Sequence, residues 1–257
     1  MAMRGSARAA AILLVVAVVA VALASMAPPG IAGWWIKRQS GGTITLADAQ
    51  GSLWSGRARV TDPHGRVSVP LTWTVDRASL LQGVLALQFG NAPTDAVRGT
   101  LRITRNATEL TQVSATVPAA IASLLLPGYI PLSFGGEVTL SSASFRFAGA
   151  PQGDATARWT PARVADNQGR ALYFGAVTAA ISAQDAQVVT TLESRGGDTT
   201  LSGNVTMRGP TIVADVSLSP RVAPTPPLLA AIAAFGAVQP DGGVRFRYQG
   251  ASRGTAR

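Results

Sequence analysis

Hydrophobic alternation of period two is the feature that most constrains this chain. Val67, Val69, Leu71, Trp73 and Val75 take every second position, with Ser68, Thr72 and Thr74 between them. Successive side chains of an extended strand point to opposite faces, so this spacing gives a strand with one apolar and one polar face. Pro70 falls in the polar set and has no N–H to donate, which predicts an edge position or a bulge there. Asp62-Pro63-His64-Gly65 precedes the run and has the residues of a type I turn, so a hairpin is predicted across it.

A second pattern is a glycine followed by alternating apolar residues. It occurs at Gly99-Thr100-Leu101-Arg102-Ile103, Gly136-Glu137-Val138-Thr139-Leu140, Gly203-Asn204-Val205-Thr206-Met207 and Gly243-Val244-Arg245-Phe246-Arg247-Tyr248. Each glycine is expected to end a turn, with a strand leaving it. The unequal spacing excludes a fixed-period solenoid and predicts an antiparallel meander of roughly ten strands. Two segments break the pattern and predict short helices, Pro118 to Leu126 and Pro227 to Phe235. Two short helices cannot cover one face of so large a sheet. The sheet must curl on itself, pair with a second sheet, or offer an apolar trough. The fold class is therefore mainly β: a curled antiparallel sheet with two short helices.

Ahead of this domain the sequence changes character. Arg4 and Arg8 precede Ala9 to Ala27, a run of 19 residues without a charge. As a helix it spans about 28 Å, close to the thickness of a bilayer core. Pro28, Pro29 and Gly30 end it, and Trp34, Trp35, Lys37 and Arg38 follow with the composition of a membrane interface. The expected organisation is a cytoplasmic segment 1–8, a single transmembrane anchor 9–27, a linker 28–42 and a periplasmic β-rich domain 43–257 in the inner membrane of a cell envelope. Ala22-Leu23-Ala24 also fits a signal-peptidase site; the length of the apolar run favours an uncleaved anchor. Both readings put most of the chain outside the cytoplasm.

The chemistry-bearing residues are few. There is no cysteine, which excludes disulfides and thiolate metal sites, and His64 is the sole histidine. No nucleophile elbow, phosphate loop or dinucleotide fingerprint is present. Asp62, Asp154, Asp166, Asp198 and Asp241 neighbour Gly, Pro or Asn, as turn residues do. The net charge is +9 with Lys37 as the single lysine. The arginines are scattered along the strands and read as a solvated face, not as a nucleic-acid surface. No catalytic residue, cofactor or metal is expected.

One stretch is more specific. Gly51-Ser52-Leu53-Trp54-Ser55-Gly56-Arg57-Ala58 resembles the G-x-[LV]-W-x-G-x-A signature of type II secretion system protein N. Trp159-Thr160-Pro161-Ala162-Arg163-Val164 is similar to the family's W-x-x-A-x-V segment, and Leu218-Ser219-Pro220 to its L-x-P. The run from Leu228 through Phe235-Gly236 to Asp241-Gly242-Gly243-Val244-Arg245-Phe246 resembles its closing helix and strand. The polar linker Gln39 to Gly42 and the stretch Ala92 to Gly128 depart from it. The resemblance implies a non-enzymatic inner-membrane subunit of the machine that exports folded proteins, whose partners are other subunits of that machine, and it carries no catalytic residues. Within the signature, Trp54 is expected on a strand, plugging the end of the curled sheet.

Three functions follow as expectations. The first is a scaffold in type II secretion, binding partners through sheet edges or a sheet face. The second is a lipid-handling envelope protein similar to the AsmA-like group, with acyl chains of a phospholipid in the curled sheet. The third, a hydrolase built on His64, has the least to support it.

Overall fold

The computed structural model describes residues 42, 45–61, 68–90, 92, 94–121, 132–166, 168–221, 223, 225–233 and 236–251. The expected anchor 9–27, the interface residues Trp34, Trp35, Lys37 and Arg38, and the turn holding His64 lie outside the described residues. Among the described residues no helix is long and apolar enough to cross a membrane.

Among the described residues thirteen strands form one antiparallel sheet, more than the ten the sequence pattern suggests. They are β1 (Thr45–Gly51), β2 (Ser55–Thr61), β3 (Ser68–Asp76), β4 (Leu85–Phe89), β5 (Val97–Ile103), β6 (Thr108–Pro118) and β7 (Leu132–Ala148). The remainder are β8 (Ala150–Asp166), β9 (Ala171–Gln184), β10 (Gln187–Arg195), β11 (Thr199–Arg208), β12 (Thr211–Pro220) and β13 (Val244–Ala251). Their order in the sheet is their order in the chain, so the fold is an uninterrupted meander. Among the described residues the sheet is open, with β1 and β13 as its two edges.

Register carries the apolar face across the whole sheet. Partners in an antiparallel pair point to the same side. Trp73 faces Phe89, Leu87 faces Leu101, Leu101 faces Leu110 and Leu110 faces Phe145. Further on, Val138 faces Trp159, Trp159 faces Val177, and Val216 faces Phe246. The opposite face carries the charges: Arg102 lies across from Glu109, and Glu109 across from Arg146. Arg57, Arg59, Arg158, Arg163 and Arg208 are all exposed, as a solvated arginine face requires.

The strands Ser55–Thr61 and Ser68–Asp76 pair as the predicted hairpin. Pro70 sits opposite Arg59, beyond the stretch Trp73–Asp76 where β4 pairs. It is therefore on a locally open edge, where a missing N–H costs no ladder bond.

The repeated glycines differ from expectation. Gly99, Gly136 and Gly203 lie inside strands instead of at turn ends, and only Gly243 precedes its strand. Gly99 and Gly136 mark breaks in register, between Arg98 and Thr100 and between Gly135 and Glu137. Gly136 has φ 92, and a Cβ there would meet the Pro161 carbonyl. These glycines bend the sheet, since a bulge adds local twist.

Helical segments are short. The segment expected as a helix from Pro118 begins as a 3-10 turn, Ala119–Ile121, with Pro118 closing β6; residues 122–126 lie outside the described residues. A helix that the pattern does not reveal, α1 (Arg77–Leu81), follows β3 directly and is too short for periodicity to show. Asp76 caps it by accepting the Ala78 N–H at 2.9 Å and the Ser79 hydroxyl at 2.6 Å. The second helix, α2 (Pro226–Ala233), is where the sequence places it. It buries Leu228, Ala231 and Ile232 against Val164, Leu172, Phe174, Val177, Leu218 and Val244. Helix α2 thus packs on the sheet at one rim, while α1 sits at the opposite rim.

Candidate functional site

The Gly51–Ala58 signature forms a hairpin tip. Gly51 pairs with Gly56 and closes the β1–β2 ladder. Between them the Ser52 N–H donates to the Ser55 carbonyl at 2.8 Å. The Ser52 hydroxyl accepts the N–H groups of Trp54 and Ser55, each at 3.2 Å. Trp54 therefore lies in the turn, not on a strand as expected, because these bonds end β1 at Gly51. Its carbonyl accepts the Val75 N–H at 2.7 Å, and the Arg77 guanidinium lies 5.3 Å from its ring centre.

Gly56 answers to a residue in the next strand. A Cβ on Gly56 would fall 2.5 Å from Cζ2 of Trp73 and 2.6 Å from the Gln50 carbonyl oxygen. The Trp73 indole occupies the space that the missing side chain leaves. Its Nε1–H donates to the Leu53 carbonyl at 3.0 Å, which ties the hairpin tip to β3. Ala58, opposite Leu71, is buried beside it.

The tip closes one side of an apolar chamber of ≈ 550 Å³. Leu46 of β1, with Leu53 and Trp54 of the tip, forms one wall. Leu71, Trp73 and Val75 of β3 form the floor, Leu85, Leu87 and Phe89 of β4 and Leu101 and Ile103 of β5 continue it, and Leu80 of α1 leans in from the rim. Every lining side chain is apolar. At the α1 rim Leu85 and Ile103 are over a third exposed and Leu81 is almost wholly exposed, so the chamber opens there.

The later motifs meet at the other rim. Trp159 on β8 packs between Phe134 and Phe174, with ring centres 6.0 and 6.3 Å away. Its Nε1–H donates to the Gly135 carbonyl at 2.7 Å, the same device that Trp73 uses at Leu53. Ala162 and Val164 are buried in the core that α2 completes, together with Leu218 and Val244. Segments far apart in sequence, W-x-x-A-x-V, L-x-P, the closing helix and the closing strand, thus share one core.

The family model for type II secretion system protein N matches residues 42–247, which includes both clusters. The chain belongs to this family. It is therefore a type II secretion component. No curated protein and no solved structure matches the chain. The structure brings the residues of the motifs that resemble the family's signature into two groups. Gly51, Leu53, Trp54, Gly56 and Ala58 build the hairpin tip over the chamber; Trp159, Ala162 and Val164 build the core under α2.

Polar groups around these sites bond to neighbouring side chains and backbone amides. Among the described residues no cluster of His, Cys, Asp or Glu is suited to a metal ion. Bonds from the Ser79 hydroxyl and the Ala78 amide hold the Asp76 carboxyl below the usual carboxylate range. Asp166 is also lowered: burial pushes it up, and the Arg170 side chain at 2.6 Å with the Arg170 and Gln168 amides outweighs that. The Arg245 guanidinium, in a two-bond contact at 2.7 and 2.6 Å, lowers Asp215, and Arg245 is raised in turn. Trp73, Phe134, Phe174 and Arg77 are the contributors that the motif reading passes over, because their roles depend on which strand lies beside them.

Proposed function

We propose that this chain is a non-enzymatic structural subunit of a type II secretion system. Residues 9–27 hold it in the inner membrane, and residues 43–257 stand in the periplasm as a scaffold for export of folded proteins across the outer membrane. The family match over residues 42–247 carries this reading. Partner subunits dock by strand addition, the mode an open sheet edge supports.

The two edges are not equivalent, and the difference favours β13 as the docking edge. The β1 ladder is interrupted between Ala47 and Gln50, and Asp48 has φ 53, so that edge is blunted by an irregularity. The β13 ladder runs without a break from Val244 to Ala251 against β12. Beyond the bridge from Val238 to Val244 at its start, its outer side presents a regular row of backbone donors and acceptors.

Paired proline substitutions test this. Neighbouring residues of a strand send their N–H groups to opposite sides, so of Tyr248→Pro and Gln249→Pro one removes a bond to β12 and the other an outward donor. In a host lacking the gene, the first is expected to weaken the fold. The second is expected to fold normally and fail to restore export. A pair in which the stably folded variant restores full export contradicts docking at β13.

A further inference from the structure

We propose that the chamber between the hairpin tip, β3–β5 and α1 is a binding site for one long alkyl chain with an anionic head group, and that Arg77 at its mouth receives the head. This site stands apart from the secretion role and does not depend on it.

The size and chemistry of the chamber select the class of ligand. A methylene fills about the same space as a water molecule, roughly 30 Å³, so a chamber of ≈ 550 Å³ holds on the order of eighteen of them. That is the scale of one acyl chain. The lining has no polar side chain, and the β2–β5 backbone is committed to its own ladders except on the open edge of β3 ahead of Trp73. A peptide segment buried there would leave its amides unpaired, at a cost an alkyl chain does not incur. Water is equally ill served, since an ordered water needs two or more polar partners.

The mouth has the opposite character. Arg77 begins α1 at the open rim, beside Trp54, whose ring lines the chamber. The neighbouring acid, Asp76, is turned into the helix start by its bonds to Ala78 and Ser79. Next to this cation, Leu85 and Ile103 are part-exposed and Leu81 projects almost fully into solvent. A cation over an apolar entrance suits an amphiphile whose head stays outside and whose tail goes in.

Photo-cross-linking tests the site in the full chain, reconstituted in nanodiscs of zwitterionic lipid. The probe is hexadecanoate carrying a diazirine at mid-chain. Saturable adducts are expected on peptides from β3, β4 and β5, displaced by unlabelled hexadecanoate. Arg77→Gln is expected to lower that yield about tenfold for the carboxylate probe and to leave the matching alcohol probe unchanged. Leu87→Trp fills the chamber itself. Should that protein fail to fold, Ile103→Trp narrows the mouth at a part-exposed position and is expected to cut labelling by both probes. Adducts confined to residues 9–27, or spread evenly over the sheet face, overturn the site. Equal saturable labelling of β3–β5 by a diacyl phospholipid probe overturns the single-chain assignment.

Discussion

Replacing Gly56 with alanine probes the link between the family signature and the fold. The new Cβ would lie 2.5 and 2.9 Å from Cζ2 and Cη2 of Trp73 and 2.6 Å from the Gln50 carbonyl oxygen. Neither neighbour yields easily. The Trp73 ring is 7% exposed and its Nε1–H is bonded to Leu53, and the Gln50 carbonyl belongs to the β1–β2 hairpin. Overpacking of this kind costs about 1–3 kcal/mol, and two fixed neighbours put Gly56→Ala in the upper half of that range. Trp73→Phe removes Cζ2 and Cη2, so the double variant should be more stable than the sum of the single effects by at least about 1 kcal/mol. Urea unfolding followed by circular dichroism measures all three proteins without relying on tryptophan. Gly135→Ala is the control: its nearest neighbour atoms are Arg163 Cβ and Cδ at 3.6 and 3.8 Å, so its stability should change by no more than about 0.5 kcal/mol. Strict additivity of Gly56→Ala and Trp73→Phe would refute the steric argument and leave Gln50 as the reason for the glycine.

Two further outcomes follow from the same structure. Ile232 is fully buried where α2 meets the sheet, so Ile232→Ala should cost about 2–5 kcal/mol in denaturant unfolding; a loss below about 1 kcal/mol would mean α2 is not part of the cooperative core. Asp76, Asp166 and Asp215 all have lowered folded pKa values, so the stability they add is complete above the ordinary carboxylate value of about 3.9 and is lost as pH falls through each lowered value. Urea midpoints taken from pH 5 to 2 should fall, and Asp166→Asn should flatten that fall; an unchanged slope would assign the acid loss to other groups.

The strands were legible because their side-chain period is set by backbone geometry alone. Val69 and Trp73 are buried on one face, as their spacing predicts, and Leu71 and Val75 share that face. Gly99 and Gly136 are not legible as bulges. A turn and a bulge both call on glycine, and the choice between them depends on the partner strand. Trp54 lies in a turn instead of on a strand for a related reason, since the turn is fixed by Ser52 hydrogen bonds that local composition does not reveal. The partner of Gly56 is a residue of the following strand, so the signature alone gives the need for a small residue but not its cause. Helix α1 leaves no trace in the pattern because five residues show no period. The chamber combines legible parts, the alternating leucines of β3–β5, with an illegible one, the hairpin tip folded over them.

Deleting the gene in its own host and locating the normally exported enzymes tests the central claim most directly. A subunit of the type II machine predicts that those enzymes accumulate in the periplasm while the outer membrane stays tight to detergents and large antibiotics. Normal export, with an outer membrane that has become leaky, would contradict a role in secretion.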